Sequence, residues 1–260
     1  MSEQEKIGRY SYEVEPFQED YTGRLSWSFL GNHLLKCASF HANTHGFGVI
    51  RLNQSEYSWV LSRMVIEMRE RPRTGEHYVI ETWISNAYRL FTDRCFSIKR
   101  DDGRVLGYVY SIWAMINMDT RKPEDLQVLG EDFMACIIPD LSCPIQKPGN
   151  IRLKDAELKR TVPTYYSDID INNHVNSIRY IEHVLDLFPK DWYEKKHVSR
   201  IEIAYNEETY CGESLKFYLQ QKADTTYAVE VHKVASADAR ESTVCKCGIT
   251  FENIEKQIIN

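Results

Sequence analysis

The chain has 260 residues, 27% of them charged and 12% aromatic, with only 12 Gly and 8 Pro, which excludes disorder and leaves one large packed domain or two ordinary ones. A net charge of −6 argues against a nucleic-acid binder, which carries a basic surplus. No run approaches the ~18 apolar residues of a membrane span.

The N-terminal stretch MSEQEKIGRYSYEVE has no apolar core and too many acids for a transit peptide, so the expected location is the cytoplasm. Seven scattered cysteines, an odd number, fit reduced thiols in that compartment. The first periodic segment, WSFLGNHLLKCASFHANTHGFG, reads as a helix capped by Ser26 and stopped by Gly46. Beyond it the period becomes alternating, with strands expected near 56–69, 76–87, 90–100 and 104–117 and a hairpin turn at Asp101-Asp102-Gly103. The span 56–69 reads equally well as a helix. Residues 119–150 hold Pro123, Pro139, Pro144 and Pro148 with Gly130 and Gly149, and read as a linker.

The second half begins with a strand near 157–166 and the polar cluster SDIDINNHVN (167–176). A helix follows, capped by Asn176, with Ile178, Ile181, Val184, Leu185 and Phe188 on one stripe and Pro189 as its stop. Strands are expected near 198–208, 212–222, 225–235 and 242–252. On the last of these Cys245 and Cys247 share a face, a C-x-C spacing that is not a zinc or redox motif.

Laid on itself with an offset of 150, the chain places Asp20 on Asp170 and Ser26 on Asn176. Each half is then strand, helix and several antiparallel strands. A sheet wrapped around one central helix satisfies that order, because the helix buries its apolar stripe in the concave face. The polar cluster has two readings of equal weight. Its Asp and Asn residues suit turns and helix caps. Alternatively, Asp170, Asn172 and His174 alternate at i, i+2 and i+4, so in an extended segment they share one face, as a hydrolytic constellation would.

With these residues the chain resembles the acyl-acyl-carrier-protein (acyl-ACP) thioesterases, double-hotdog proteins. SDIDINNHVNSIRYIEHVLD carries their D-x-N-x-H-V-N pattern and helix entry, YEVEPFQEDYTGRLSWSFLGNHLLKCASFHANTHGFG is similar to their first hotdog unit, and IAYNEETYCGESL (203–215) to a strand bearing an active-site glutamate. The resemblance implies an α+β fold of two tandem hotdog units, each a long helix wrapped by an antiparallel sheet. The expected division is an acyl-pocket unit at 1–125, a linker at 126–150 and a catalytic unit at 151–260. It implies hydrolysis of fatty acyl-ACP to free acid, with acyl carrier protein as the partner; no cofactor or metal is expected, and the lack of the plant members' transit peptide points to a bacterial enzyme. An acyl-coenzyme A thioesterase and a non-catalytic acyl-binding protein of the same fold are the alternatives, and a homodimer stays open.

Carried over by position, the catalytic residues are Asp170, Asn172, His174 and Glu208. His174 and Glu208 activate water, Asn172 orients it, Asp170 holds the geometry, and backbone N–H groups near Asn176 and Ser177 bind the oxyanion. The residue after the glutamate is Thr209, where plant members often have cysteine; Cys211 fits only with gaps, which puts a cysteine nucleophile in doubt. In the first half Thr22 and Arg24 stand where the second has Asn172 and His174, and an arginine is no base at neutral pH. That half is therefore expected to supply the acyl tunnel, from helix residues such as Ala38 and Ala42 and from sheet residues Trp59, Trp83 and Trp113. His41 and His45 have a metal-pair spacing but no acidic third ligand nearby, so they read as pocket lining or surface.

Overall fold

The computed structural model describes residues 2–234 and 240–254. The last residue of the strand expected at 225–235 and the end of the C-terminal unit, 255–260, lie outside them. Two compact units emerge, Met1–Pro148 and Gly149–Asn260.

The first unit's helix, Trp27–Thr44, starts where Ser26 accepts a hydrogen bond from the Phe29 N–H. It ends in a Schellman turn. Gly46 adopts φ +77°, its N–H donates to Asn43 O (3.2 Å), and Phe47 N–H donates to Ala42 O (3.0 Å). Its buried stripe includes Leu30, Leu34, Cys37, Ala38 and Ala42. Five antiparallel strands belong to this unit: β1 (Gly8–Glu13), β2 (Tyr57–Met68), β3 (His77–Ala87), β4 (Phe91–Arg100) and β5 (Val105–Asn117), in the order β1-β3-β4-β5-β2. The ambiguous 56–69 segment is a strand, held along its length by pairing from Tyr57↔Asn117 to Met68↔Gly107. Gly103, at φ +85°, makes the β4–β5 turn.

The segment expected as a linker folds onto this unit. Leu126–Leu129 and Gly130–Ala135 are short helices, and Leu126, Phe133 and Cys136 are buried with Ala42, Phe47, Ile84 and Met115. The Phe133 ring stands edge-on to Phe47, with centroids 5.1 Å apart. Farther on, Ile138 N–H donates to Ile84 O (2.9 Å) and Leu141 O accepts from the Trp83 indole (2.7 Å). Proline and glycine mark irregular backbone there, but the apolar side chains between them still find a core.

The second unit's strands are β6 (Glu157–Pro163), β7 (Lys196–Tyr205), β8 (Ser214–Ala223), β9 (Thr226–Val234) and β10 (Glu241–Asn253), antiparallel in the order β7-β10-β9-β8-β6. Its helix, Ser177–Leu185, is half the length of the first, 9 residues against 18. Ile178, Ile181 and Val184 are its buried stripe. The chain then turns so that Phe188 packs edge-on to Tyr227 and Phe251. Each unit is thus a helix with an antiparallel sheet, the α+β hotdog arrangement. Cys245 and Cys247 are both fully buried on β10, and burial pushes both thiols up. Among the described residues no cluster of His, Cys, Asp or Glu suits a metal ion, and no helix is long and apolar enough to cross a membrane.

Candidate active site

Residues 169–175 are not extended. They form a tight turn closed by the Ile169↔Val175 bridge, with Asp170 N–H donating to His174 O (2.9 Å) and Asn173 N–H to Asp170 O (3.0 Å). Asn173 takes the left-handed conformation (φ +65°), which asparagine tolerates better than most residues. The Asp170 carboxylate accepts the Asn172 N–H at 2.8 Å, so it is spent on the turn itself. Asn172 is exposed at the tip beside Ile171, which is 100% exposed. Sharing of one face by alternation therefore fails. What the turn does is hold His174 against the loop that follows β7, with only 20% of its side chain exposed.

Glu208 is expected at the end of a strand spanning 198–208, but β7 stops at Tyr205 and Glu208 lies in the loop that follows. It still reaches the histidine: His174 Nε2 and Glu208 Oε2 are 3.2 Å apart. Thr209 makes this happen. Its side chain is fully buried, its Oγ1 accepts from the Tyr180 hydroxyl (2.9 Å), and its carbonyl accepts the Val175 N–H (2.8 Å). Because Val175 follows His174 and Thr209 follows Glu208, that backbone bond sets the two side chains side by side. Lys233 Nζ holds the Glu208 carbonyl at 2.7 Å, and the Tyr210 ring stands edge-on to His174 with centroids 5.1 Å apart. Thr209, Tyr210 and Lys233 are supports that sequence reasoning does not reach. Cys211 is exposed.

The backbone donors expected at the helix start are partly used. Asn176 N–H donates to Asp168 O (2.8 Å) and the Asn176 side chain caps Ile178 N–H (2.8 Å). Of the expected pair only the Ser177 N–H has no acceptor among the described residues.

The first unit builds the same turn with different chemistry. Asp20 N–H donates to Arg24 O (2.8 Å), Gly23 has φ +69°, Asp20 Oδ1 accepts Thr22 N–H (2.9 Å), and Ser26 N–H donates to Gln18 O (2.8 Å). Leu25 N–H donates to Pro72 O just as Val175 donates to Thr209 O, so Arg71 occupies the place of Glu208. Arg71 Nη1 binds the Asp20 carboxylate at 2.6 Å, and Arg24 Nη1 binds Arg71 O at 2.8 Å. An imidazole–carboxylate pair in one unit is a guanidinium–carboxylate clamp in the other, with arginine where the second unit has histidine and glutamate.

The first unit instead has a cavity of about 100 Å³ beside its helix. Ala38, Ala42, Trp59, Trp113 and Phe133 line it. Trp83, expected there too, faces the other side of the sheet with Cys95, Tyr110 and Ile138, because its neighbour Ile84 takes the helix side.

Family models for the acyl-ACP thioesterase N-terminal domain and C-terminal domain match residues 5–136 and 151–253. The chain belongs to the acyl-ACP thioesterase family. It is 47% identical to a solved acyl-ACP thioesterase from Bacteroides thetaiotaomicron, with a TM-score of 0.89 over 97% of this chain and 100% of that one. The 12:0-ACP thioesterase from Umbellularia californica shares the fold, with a TM-score of 0.83 at 18% identity over 96% of this chain and 98% of that one. A chloroplastic palmitoyl-ACP thioesterase from Arabidopsis thaliana is 26% identical over 79% of this chain and 52% of its own length. The chain thus spans about half the length of the curated relatives it matches.

Proposed function

We propose that this protein hydrolyses fatty acyl-ACP thioesters, releasing free fatty acid and the carrier thiol. The observation that carries the reading is the His174–Glu208 pair, 3.2 Å apart, where the other unit has Arg24 and Arg71. The Glu208 carboxylate takes the Nε2–H of the imidazole, which leaves Nδ1 as the basic nitrogen. Nδ1 removes a proton from water as the water oxygen attacks the thioester carbonyl. The tetrahedral intermediate collapses, the C–S bond breaks, and the proton returns to the departing sulfur. Ser177 N–H is the backbone donor for the oxyanion. Asn172, exposed at the tip, orients water or substrate through its amide. Asp170 acts through the backbone, fixing the turn that presents both. Cys211 takes no part.

The first unit supplies the acyl pocket, lined by the helix alanines and tryptophans. Residues 126–148 are part of that unit's packing rather than a free tether. Acyl carrier protein is the partner. The decisive assay compares kcat/KM for one acyl chain on carrier protein and on coenzyme A. Preference for the carrier is expected; equal or better turnover of the coenzyme A ester makes this an acyl-coenzyme A thioesterase, and no turnover of either overturns the reading.

A further inference from the structure

The first unit's cavity is lined mostly by apolar side chains, with the hydroxyls of Ser39 and Thr92 and one charged group, Arg94. Arg94, on β4, lines it and is only 5% exposed. Its Nη1 donates both its hydrogens, to His41 Nδ1 at 3.1 Å and to Thr82 Oγ1 at 3.2 Å. His41 must accept through Nδ1 because its Nε2–H donates to Lys6 O at 2.9 Å, and burial lowers its pKa to about 3, so the ring is neutral. Burial also lowers the guanidinium to about 10, which leaves it charged at neutral pH. No carboxylate pairs with it among the described residues. Asp93, its neighbour in sequence, points to the opposite face and binds Lys147 Nζ at 2.9 Å. The Nε–H and Nη2 donors of Arg94 have no acceptor among the described residues, and neither atom is among the enclosed unpartnered ones, so this edge opens onto accessible space.

A buried cation with no counter-charge is costly. Apolar packing alone would be served better by leucine or methionine, and bonding His41 and Thr82 uses one nitrogen of three. The unused Nε–Nη2 edge is the edge of an arginine that receives a carboxylate in fork geometry. We infer that this cavity binds an aliphatic chain carrying an oxygen acceptor, a carboxylate, hydroxyl or oxo group, which the free edge of Arg94 receives. The aliphatic part of that ligand rests on the thioesterase reading; the oxygen recognition rests on Arg94. Two sources present this chemistry: an oxygen substituent on the acyl chain being hydrolysed, or the carboxylate of a released fatty acid.

Trp59 and Trp113 line the cavity, so tryptophan emission of the full chain reports occupancy without turnover. Decanoate, 1-decanol and decane are titrated into the wild type and Arg94→Met. The wild type is expected to bind decanoate and decanol at least about tenfold more tightly than decane, and Arg94→Met to lose that difference. Decane binding as tightly as decanoate overturns the inference, as does an Arg94→Met protein that binds decanoate like the wild type. Should Arg94→Met not fold, the wild-type series decides alone, with Arg94→Lys, which keeps the charge and loses the fork, expected to weaken decanoate binding. Faster hydrolysis of ω-hydroxydecanoyl-ACP than of decanoyl-ACP identifies the acyl substituent as the ligand. Equal hydrolysis, with decanoate inhibition abolished by Arg94→Met, identifies the released acid. If the binding difference holds but no acyl-ACP is hydrolysed, the thioesterase reading fails and the Arg94 site stands. If acyl-ACP is hydrolysed without any binding difference, the Arg94 site fails and the thioesterase reading stands.

Discussion

Replacing Ala38 by leucine should shorten the acyl chains this protein prefers. Ala38 is 6% exposed on the first unit's helix and lines the cavity with Trp59 and Trp113. Leucine adds three carbons to a space of about 100 Å³, so a long chain must withdraw a comparable number of methylenes. At about 0.8 kcal/mol for each methylene buried, losing about three costs roughly 2.4 kcal/mol, or about 60-fold in kcat/KM. Chains short enough to end before residue 38 lose none of this. The assay is kcat/KM over a series of saturated acyl-ACP substrates, for wild type and variant. Overpacking costs about 1–3 kcal/mol of stability, so only a variant with native circular dichroism and cooperative melting counts. A folded Ala38→Leu protein with an unchanged length profile, set against a second-unit helix variant that does shift it, would refute the placement of the pocket.

Other expectations follow from the same geometry. Cys211→Ala should retain most activity, because the thiol lies outside the His174–Glu208 pair; an acyl group trapped covalently on Cys211 would instead revive a cysteine nucleophile. Thr209→Val leaves the Tyr180 hydroxyl buried without its acceptor, and should cost about 1–3 kcal/mol in denaturant melts while lowering kcat. Unchanged stability and kcat would mean that Thr209 does not hold the loop. Stability should fall with acid. The buried His41 stays neutral down to about pH 3 in the folded protein, whereas in the unfolded chain it takes up a proton near 6.5. The unfolded state therefore binds more protons below that value, and by pH 5 this one residue costs on the order of 2 kcal/mol. His41→Gln should flatten that part of the pH–stability curve, and a curve of unchanged slope would show that His41 is not its source.

Much of the architecture is legible in the sequence because periodicity and burial agree. The stripe at Ile178, Ile181 and Val184 is the face the second helix buries, and DDG at 101–103 is a turn because Gly103 takes positive φ at no steric cost. The site turn departs from expectation because alternation in sequence implies a shared face only if the backbone is extended. A signal against extension is present: the repeat aligns Gly23 with Asn173, two residue types that enter the left-handed region, and both do so here. The short helices at 126–135 are hidden by proline and glycine, although Leu126, Leu129 and Phe133 recur at spacings a helical core face would use. Thr209 is not legible as an anchor, since a threonine in a polar loop gives no sign that it is fully buried. Arg94 is hidden for the opposite reason: strand alternation puts it on the face of Thr92 and Phe96, where an arginine is not expected to be buried.

The central claim is that His174 and Glu208 act as one unit on water. It is tested most directly by kcat/KM for acyl-ACP in His174→Ala, Glu208→Gln and the double variant, all folded. Loss of a general base is worth roughly 10²–10⁴-fold, and the double variant should be about as slow as His174→Ala alone, since Glu208 works only through the imidazole. Near wild-type turnover in His174→Ala, or losses that multiply in the double variant, would contradict the account.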